Sequence, residues 1–328
     1  MSISTKGSKP KPTAMSQPGQ KRTRRMSDTV ATEGIAGPMV TVCCVTFNHA
    51  DTIKRTVDSI LSQKADFLIE LLIHDDVSTD GTRAIVQNYC ELHPDRVTAL
   101  LPDQNQYSKG VNVMARLRGL ARGKYIAFCE GDDYWSDTTK LAKQVSIMEA
   151  NPEVVMTGHR VVAINSEGEP VRYFRSRNPF AAHPLERDFD SQALRTLERV
   201  IPTSCRVFRN IHIDLPLEAT KTIAGDAFLQ ALLADHGSYR FLPEIKPSYY
   251  TVSGKGIWTK QSRDTDILQR INLLTQLRVY FDRVGHESAS KKLYGKQTAL
   301  LIELLLRRAI QKTGLTPLLD WAKNRMPR

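Results

Sequence analysis

The sequence has no apolar run of the ~18 or more residues that a membrane-crossing helix needs. Its longest candidate, Ala299–Leu306, is short and carries Glu303. The N-terminus lacks an apolar h-region, so it does not read as a secretory signal. Cysteines are few and odd in number: Cys43, Cys44, Cys90, Cys129 and Cys205. Their spacing fits neither a zinc site nor a disulfide framework. Cys43, Cys44 and Cys129 lie in apolar strand-like runs and read as small buried hydrophobes, which points to a reducing, cytoplasmic compartment. There is no internal repeat. No RNA-binding aromatic signature accompanies the basic segments, so no nucleic-acid partner is expected.

The chain does carry an excess of positive charge, +11 over 328 residues, and it sits at the two ends. Residues 1–38 hold seven Lys/Arg against two Asp/Glu, and residues 263–328 hold thirteen against six. The stretch between them is close to neutral. Residues 1–38 have almost no large apolar side chains and cannot offset their ordering entropy, so they read as a disordered basic tail. A basic end can meet an anionic surface or simply be solvated.

Order begins at Met39. Met39–Phe47 is nearly continuously apolar, the pattern of a strand buried on both faces. Ile53, Val57, Ile60 and Leu61 then recur at helical spacing. A strand at Phe67–His74, a helix at Asp80–Leu92, a strand at Val97–Leu101, a helix at Val111–Arg122 and a strand at Tyr125–Cys129 follow. Such alternation predicts an α/β fold with a doubly wound, mostly parallel, Rossmann-like sheet. Beyond it we expect a helix at Thr138–Glu149, a strand around Val154–Ile164, a mobile polar loop at Val171–Phe189 and a strand at Ile201–Phe208. A helix at Gly225–Asp235 and one or two strands within Phe241–Val252 come next. From Asp264 the pattern is helical to the end, with residues 263–328 forming a C-terminal extension.

Acidic clusters fall at the predicted strand ends. Asp75-Asp76-Val77-Ser78-Thr79-Asp80-Gly81-Thr82 follows the second strand, Glu130-Gly131-Asp132-Asp133 the fourth, and Gly225-Asp226 opens a late helix. Carboxylates at the carboxyl ends of parallel strands converge on one cleft. Asp80 is expected to N-cap the following helix. Asp132 and Asp133 taken alone also suit a plain turn. Three carboxylates within four residues repel and raise one another's pKa unless a cation neutralises them, and hard oxygen ligands suit Mg²⁺ or Mn²⁺.

From Val40 to Trp258 the chain resembles the family 2 glycosyltransferases of the GT-A fold. Cys44-Val45-Thr46-Phe47-Asn48 is similar to their opening strand motif, with Val45 where Pro is common and Phe47 where Tyr is common. Ile73–Thr82 is similar to their Val-Asp-Asp-Gly-Ser-Thr-Asp-Gly-Thr, with Val77 for the usual Gly. Phe128–Trp135 resembles their Asp-x-Asp-Asp segment, with Glu130 in first place. Ile201–Cys205 with Phe208-Arg209-Asn210, Gly225-Asp226 and Gly254–Thr259 resemble the acceptor-side strand, the base-bearing segment and the closing Gly-rich segment.

The resemblance implies a GT-A domain over 39–262 that inverts the sugar of a nucleotide-diphosphate donor onto a hydroxyl of a glycan or lipid-linked acceptor, in cell-surface polysaccharide synthesis. It implies that Val45, Phe47, Asn48, Asp76 and Asp132 line the donor site, with Asp76 meeting the base. Asp132 and Asp133, assisted by Glu130, would hold Mn²⁺ or Mg²⁺, and Asp226 would be the general base. Many relatives carry a His before the closing segment. Ser253 stands there in this chain, which implies weaker metal affinity or a diphosphate contact from Lys255. His49, His74 and His159 read as core or rim residues.

Two competing readings are weaker. A nucleotidyltransferase would want a Gly-rich phosphate loop after the first strand, which Asn48-His49-Ala50-Asp51 does not supply. A basic binding module with an inactive core conflicts with three intact carboxylate clusters. In Lys291–Ile310, Leu293, Leu300, Leu301, Leu304, Leu305 and Ala309 recur at near-helical spacing beside Lys291, Lys292, Lys296, Arg307 and Arg308. This segment suits either peripheral contact with an anionic membrane face or packing on the catalytic domain or another subunit.

Overall fold

The computed structural model describes residues 37–171, 186–252 and 262–313. The basic tail (save residues 37 and 38), most of the loop expected at Val171–Phe189, and the segment holding Ser253, Lys255 and Gly254–Thr259 lie outside these residues.

The parallel half forms as the alternation predicts. Strands β1 (Val40–Thr46), β2 (Ile69–Asp75), β3 (Val97–Leu100) and β4 (Tyr125–Phe128) alternate with helices α1 (Ile53–Leu61), α2 (Thr82–Leu92) and α3 (Val113–Leu120). β1 pairs in parallel with β2 on one side and β4 on the other, and β2 pairs with β3. Both faces of β1 are covered. Val40, Val42 and Cys44 pack towards α1, whereas Cys43 packs on the opposite side with Leu117 of α3 and Ile126. This two-sided burial is why the strand reads as a continuous apolar run rather than an alternating one.

The second half departs from the sequence expectation. After β4 come β5 (Tyr134–Trp135), α4 (Lys140–Ala150), β6 (Val154–Gly158), β7 (Val161–Ile164), α5 (Ser191–Arg195), β8 (Val207–Arg209), α6 (Gly225–Leu233), β9 (Ser238–Phe241) and β10 (Ser248–Thr251). The seven-stranded sheet runs β3-β2-β1-β4-β8-β6-β9, and β5-β10-β7 form a second, three-stranded sheet. The single strand expected at Val154–Ile164 is therefore two strands in two sheets, divided at His159-Arg160. The strand expected at Ile201–Phe208 is mostly a 3₁₀ turn after Pro202, and only Val207–Arg209 joins the ladder, antiparallel to both β4 and β6.

Two long helices close the described chain, α7 (Arg263–Arg283) and α8 (Glu287–Lys312). Ser262 caps α7 by accepting from the Thr265 amide. Leu273, Leu274, Leu277 and Phe281 of α7 and Leu293, Leu300 and Leu304 of α8 share one apolar cluster with Phe228, Ala231 and Leu232 of α6. The C-terminal helices thus complete the burial of the helix that carries Asp226.

Candidate active site

The switch in strand order falls at β1, whose neighbours β2 and β4 lie on opposite sides, and a crevice opens there at the carboxyl ends. Three loops meet at it, after β1, β2 and β4.

The loop after β1 is fixed by Asn48, which adopts a left-handed conformation (φ 56°). Its Oδ1 accepts from the Thr79 amide at 2.8 Å, and its own amide donates to Ser78 Oγ. Asn48 therefore pins the second loop. Phe47 is 47% exposed beside it, and Val45 is half-buried in β1. In the second loop Val77 sits at φ 67°, where the related motif has Gly. A β-branched residue is strained there. Asp80 is a correction to the capping expectation. The N-cap of α2 is Gly81, and Asp80 instead accepts from Thr82 and from the Ala50 amide, joining the loops after β2 and β1.

Asp76 is buried, and its carboxylate accepts from the amides of Gln106 (2.6 Å) and Tyr107 (3.0 Å). Its Oδ1 also lies 3.3 Å from His74 Nε2. Burial holds the His74 imidazole below its usual pKa, and because a carboxylate oxygen can only accept, Nε2 is the donor. Asp76 thus anchors the loop that carries Tyr107. Asp75 is committed to Arg83 at 2.9 Å.

The third loop is the acidic turn. Gly131 cannot be replaced without movement, because a Cβ there would lie 2.7 Å from Thr46 Cβ and 2.9 Å from His49 Nδ1. Thr52 and Thr56 of α1 donate to the Gly131 carbonyl, and Thr56 also to that of Asp133. The two aspartates diverge. Asp132 faces the crevice, with His49 Nε2 3.8 Å from its carboxylate. Asp133 is fully buried and accepts from the Thr251 amide at 3.1 Å through Oδ1, while its Oδ2 has no hydrogen-bond partner. Burial, then the charges of Asp132 and Asp226, push Glu130 up to about 7. Burial raises Asp132 against the pull of His49 and Arg55, and burial with Asp132 and Glu130 pushes Asp133 well above the carboxylate range. Among the described residues no three His, Cys, Asp or Glu side chains converge as a ready-made metal cage. The donor chemistry nonetheless fits a hard cation: three carboxyls raised by burial, two of them also by their acidic neighbours, and one with an orphaned oxygen.

Across the crevice Asp226 stands in the first turn of α6, one-third exposed. Arg206 is fully buried behind it, with Nη2 3.5 Å from Asp226 Oδ2 and Nη1 donating to the Asp226 and Ile201 carbonyls. A Cβ on Gly225 would lie 2.6 Å from Asn112 Nδ2, so a larger residue there would have to displace the N-cap side chain of α3. Asn112, Met114, Arg118, Phe128 and Leu215 line a narrow pocket with Asp226.

Sequence reasoning missed three residues of this site. His49 was set aside as a rim residue. Arg206 gave no signal, since a buried arginine looks like any other. Arg55, stacked 4.2 Å over the Tyr134 ring at the rim, is one turn from the loop after β1 and was readable only as a helix-surface charge.

Residues 41–213 match the family model of glycosyl transferase family 2. The chain belongs to this family. A protein of Mycobacterium tuberculosis of uncharacterised function is 30% identical over 224 residues, 67% of this chain, which spans 60% of that relative's length. The putative teichuronic acid biosynthesis glycosyltransferase TuaG of Bacillus subtilis is 36% identical over 140 residues, covering 42% of this chain and 52% of TuaG. The Escherichia coli UDP-Glc:alpha-D-GlcNAc-diphosphoundecaprenol beta-1,3-glucosyltransferase WfaP is 40% identical over 113 residues, 34% of this chain and 41% of WfaP. Among solved structures, S. aureus TarS residues 1–349 in complex with UDP superposes with a TM-score of 0.50 at 18% identity, covering 72% of this chain and 64% of TarS 1–349. The family-2 chain has the GT-A fold expected from its sequence. Its described helices include none long and apolar enough to cross a membrane.

Proposed function

We propose that this family-2 chain transfers a sugar, with inversion, from a nucleotide-diphosphate donor to a hydroxyl of a glycan or lipid-linked acceptor in cell-surface polysaccharide synthesis. The observation that carries the reading is that the acidic turn and Asp226 border one crevice: Glu130 accepts from Thr203 at 3.3 Å, and Arg206, three residues on, reaches Asp226 at 3.5 Å. The names of TuaG and WfaP support the substrate class. A cytoplasmic reaction accords with five free cysteines, four of them buried. A lipid-linked acceptor would bring the reaction to a membrane surface.

In this reading the nucleotide lies along the loops after β1 and β2, with Phe47 against the base and Val45, Asn48 and Asp76 shaping the floor. His49 and Arg55 supply positive charge at the diphosphate. A bound Mn²⁺ or Mg²⁺, held by Asp132 with Glu130 and backed by Asp133, would supply Lewis-acid stabilisation of the departing diphosphate. Asp226 accepts the proton of the acceptor hydroxyl as its oxygen attacks the anomeric carbon. The bond from that carbon to the diphosphate oxygen breaks, and the nucleoside diphosphate leaves with the electron pair. Arg206 holds the Asp226 carboxylate in place from behind.

The test is release of nucleoside diphosphate by the full-length protein from UDP-glucose and UDP-GlcNAc with Mn²⁺ and an acceptor glycan. Acceptor-dependent turnover that vanishes in Asp226→Asn supports the reading. Equal turnover by wild type and Asp226→Asn overturns the base assignment.

A further inference from the structure

Among the described residues, helix α8 buries one face and leaves another without cover. Leu293, Leu300 and Leu304 turn inward onto α7 and α6, so only part of the leucine series expected as one stripe forms a single face. Tyr294, Leu301, Ile302, Leu305 and Leu306 are exposed on the outside, Leu305 by 66% and Leu306 by 58%. Gly295, Thr298, Ala299 and Ala309 fill the gaps between them. Every charged residue between Leu293 and Arg307 points the other way. Lys296 donates to the carbonyls of Thr196 and Leu197, Glu303 pairs with Arg263 at 2.8 Å, and Arg307 pairs with Asp264 at 3.1 Å. The outer arc of the helix from Tyr294 to Leu306, about 18 Å long, therefore carries no charged residue of α8, and Arg278 of α7 stacks over the Tyr294 ring at its edge. An exposed, contiguous apolar arc of this kind ordinarily marks a surface that meets a partner or a membrane.

What covers it is read from the charges at its margins. Lys291, Lys292, Arg308 and Lys312 are exposed, with Arg308 3.7 Å from the Asp264 carboxylate that it shares with Arg307. Arg308 follows Leu301 by seven residues and Lys292 precedes Ala299 by seven, so basic side chains border the apolar arc on both sides. Glu287, 3.8 Å from Lys291, is the acid on the exposed side of the helix, and it sits at the extreme N-terminus. Pairing of two copies through this face sets cations against cations in either orientation. Antiparallel helices oppose Lys291 and Lys292 to Arg308 and Lys312, and parallel helices oppose each end to itself. An anionic lipid surface complements the arrangement, taking the apolar arc among its acyl chains and the bordering cations at its headgroups.

We propose that the outer face of α8 is a peripheral membrane-binding surface for anionic bilayers, seated through Leu301, Ile302, Leu305 and Leu306. The proposal does not depend on the reaction assigned to the crevice. Its test is co-sedimentation of the full-length protein with phosphatidylglycerol-containing and with pure phosphatidylcholine vesicles at low salt. The wild type is expected to partition onto the anionic vesicles and to be weakened by added salt. The triple variant Leu301→Ser/Leu305→Ser/Leu306→Ser should lose roughly a hundredfold in partition. Lys292→Gln and Lys312→Gln should each lose about fivefold. All these positions are exposed, so unchanged thermal unfolding confirms that the variants fold. Wild-type protein that ignores anionic vesicles overturns the proposal. So does a solution dimer dissociated by the triple substitution, which would make the occupant a second copy. Equal partition onto both vesicle types overturns the assignment to anionic lipid.

Discussion

Lys140 opens α4, and its ammonium group is fully buried 4.0 Å over the Trp135 ring without a hydrogen-bond partner. Burial pulls its pKa down to about 7, with Cys205, Cys129 and Asp137 opposing the fall. An unfolded lysine titrates near 10.4. Between these values the unfolded chain binds more protons than the folded one, so this group makes stability rise with pH from about 7 to about 10.4. Below pH 7 its whole cost is present, about 5 kcal/mol at 1.36 kcal/mol for each unit. Lys140→Met keeps the length and the apolar stem, and a volume-conserving change costs up to about 1.5 kcal/mol of packing. The variant should therefore be more stable than wild type by roughly 3 kcal/mol at about pH 6, with the advantage gone by about pH 9.5. Urea unfolding of both proteins across that range measures the difference, and taking it variant against wild type cancels the titrating groups that do not feel Lys140, leaving His159, Cys129 and Cys205 as the coupled ones. A difference that does not change with pH, or a variant less stable at pH 6, would refute the buried-ammonium reasoning.

Val77→Gly should relieve the left-handed strain at φ 67° and stabilise by about 1 kcal/mol after the backbone-entropy cost of glycine. Calorimetry should show Tm rising by roughly 2 °C or more, and a fall would mean that the Val77 side chain contributes more packing than strain. Asp226→Asn should lower turnover by about 10² to 10⁴ while nucleoside diphosphate binds as before, and an equal loss of both would make Asp226 a binding residue. Asp132→Asn should weaken Mn²⁺-dependent binding of a nucleoside diphosphate by tenfold or more, about 1.4 kcal/mol, as read by titration calorimetry. Equal wild-type affinity with and without EDTA would remove the metal from the site.

The parallel half of the fold was legible because its strands are buried on both faces and so appear as apolar runs, Met39–Phe47 above all. The second half was not, because its strands are short and their order is set by distant partners. Val154–Ile164 is apolar at both ends with His159-Arg160 between them, and the chain changes sheets there: β6 ends at Gly158 in the large sheet and β7 begins at Val161 in the small one. Ile201–Phe208 looked like a strand, but Pro202 cannot donate to a ladder and Arg206 leaves the strand pattern to reach behind Asp226. The carboxylates of the crevice could be named from their places at strand ends. Their division of labour could not, because adjacent residues such as Asp132 and Asp133 differ only in the direction in which the turn aims them. The histidines show the same limit: His49 reaches Asp132 and His74 braces Asp76, although nothing local separates them from His159, which is buried against Ser248. The two-sided character of α8 was half legible, since leucines at 300, 301, 304, 305 and 306 cannot all share one face.

The contact of Thr251 with the acidic turn has a consequence for anyone recombining this chain with a relative. Its amide and hydroxyl reach Asp133 and the Asp132 carbonyl across more than a hundred residues of sequence. A chimera joined anywhere between Trp135 and Ser248 would pair an acidic turn from one parent with a β10 from the other. Such hybrids keep the amide part of the brace wherever the carboxylates are shared, and lose its hydroxyl part where the β10 parent lacks Thr or Ser at this position. Crossovers placed after Val252 leave the turn and its brace with one parent, but they divide the apolar cluster that α6 shares with α7 and α8, so the C-terminal helices must come with a matching α6.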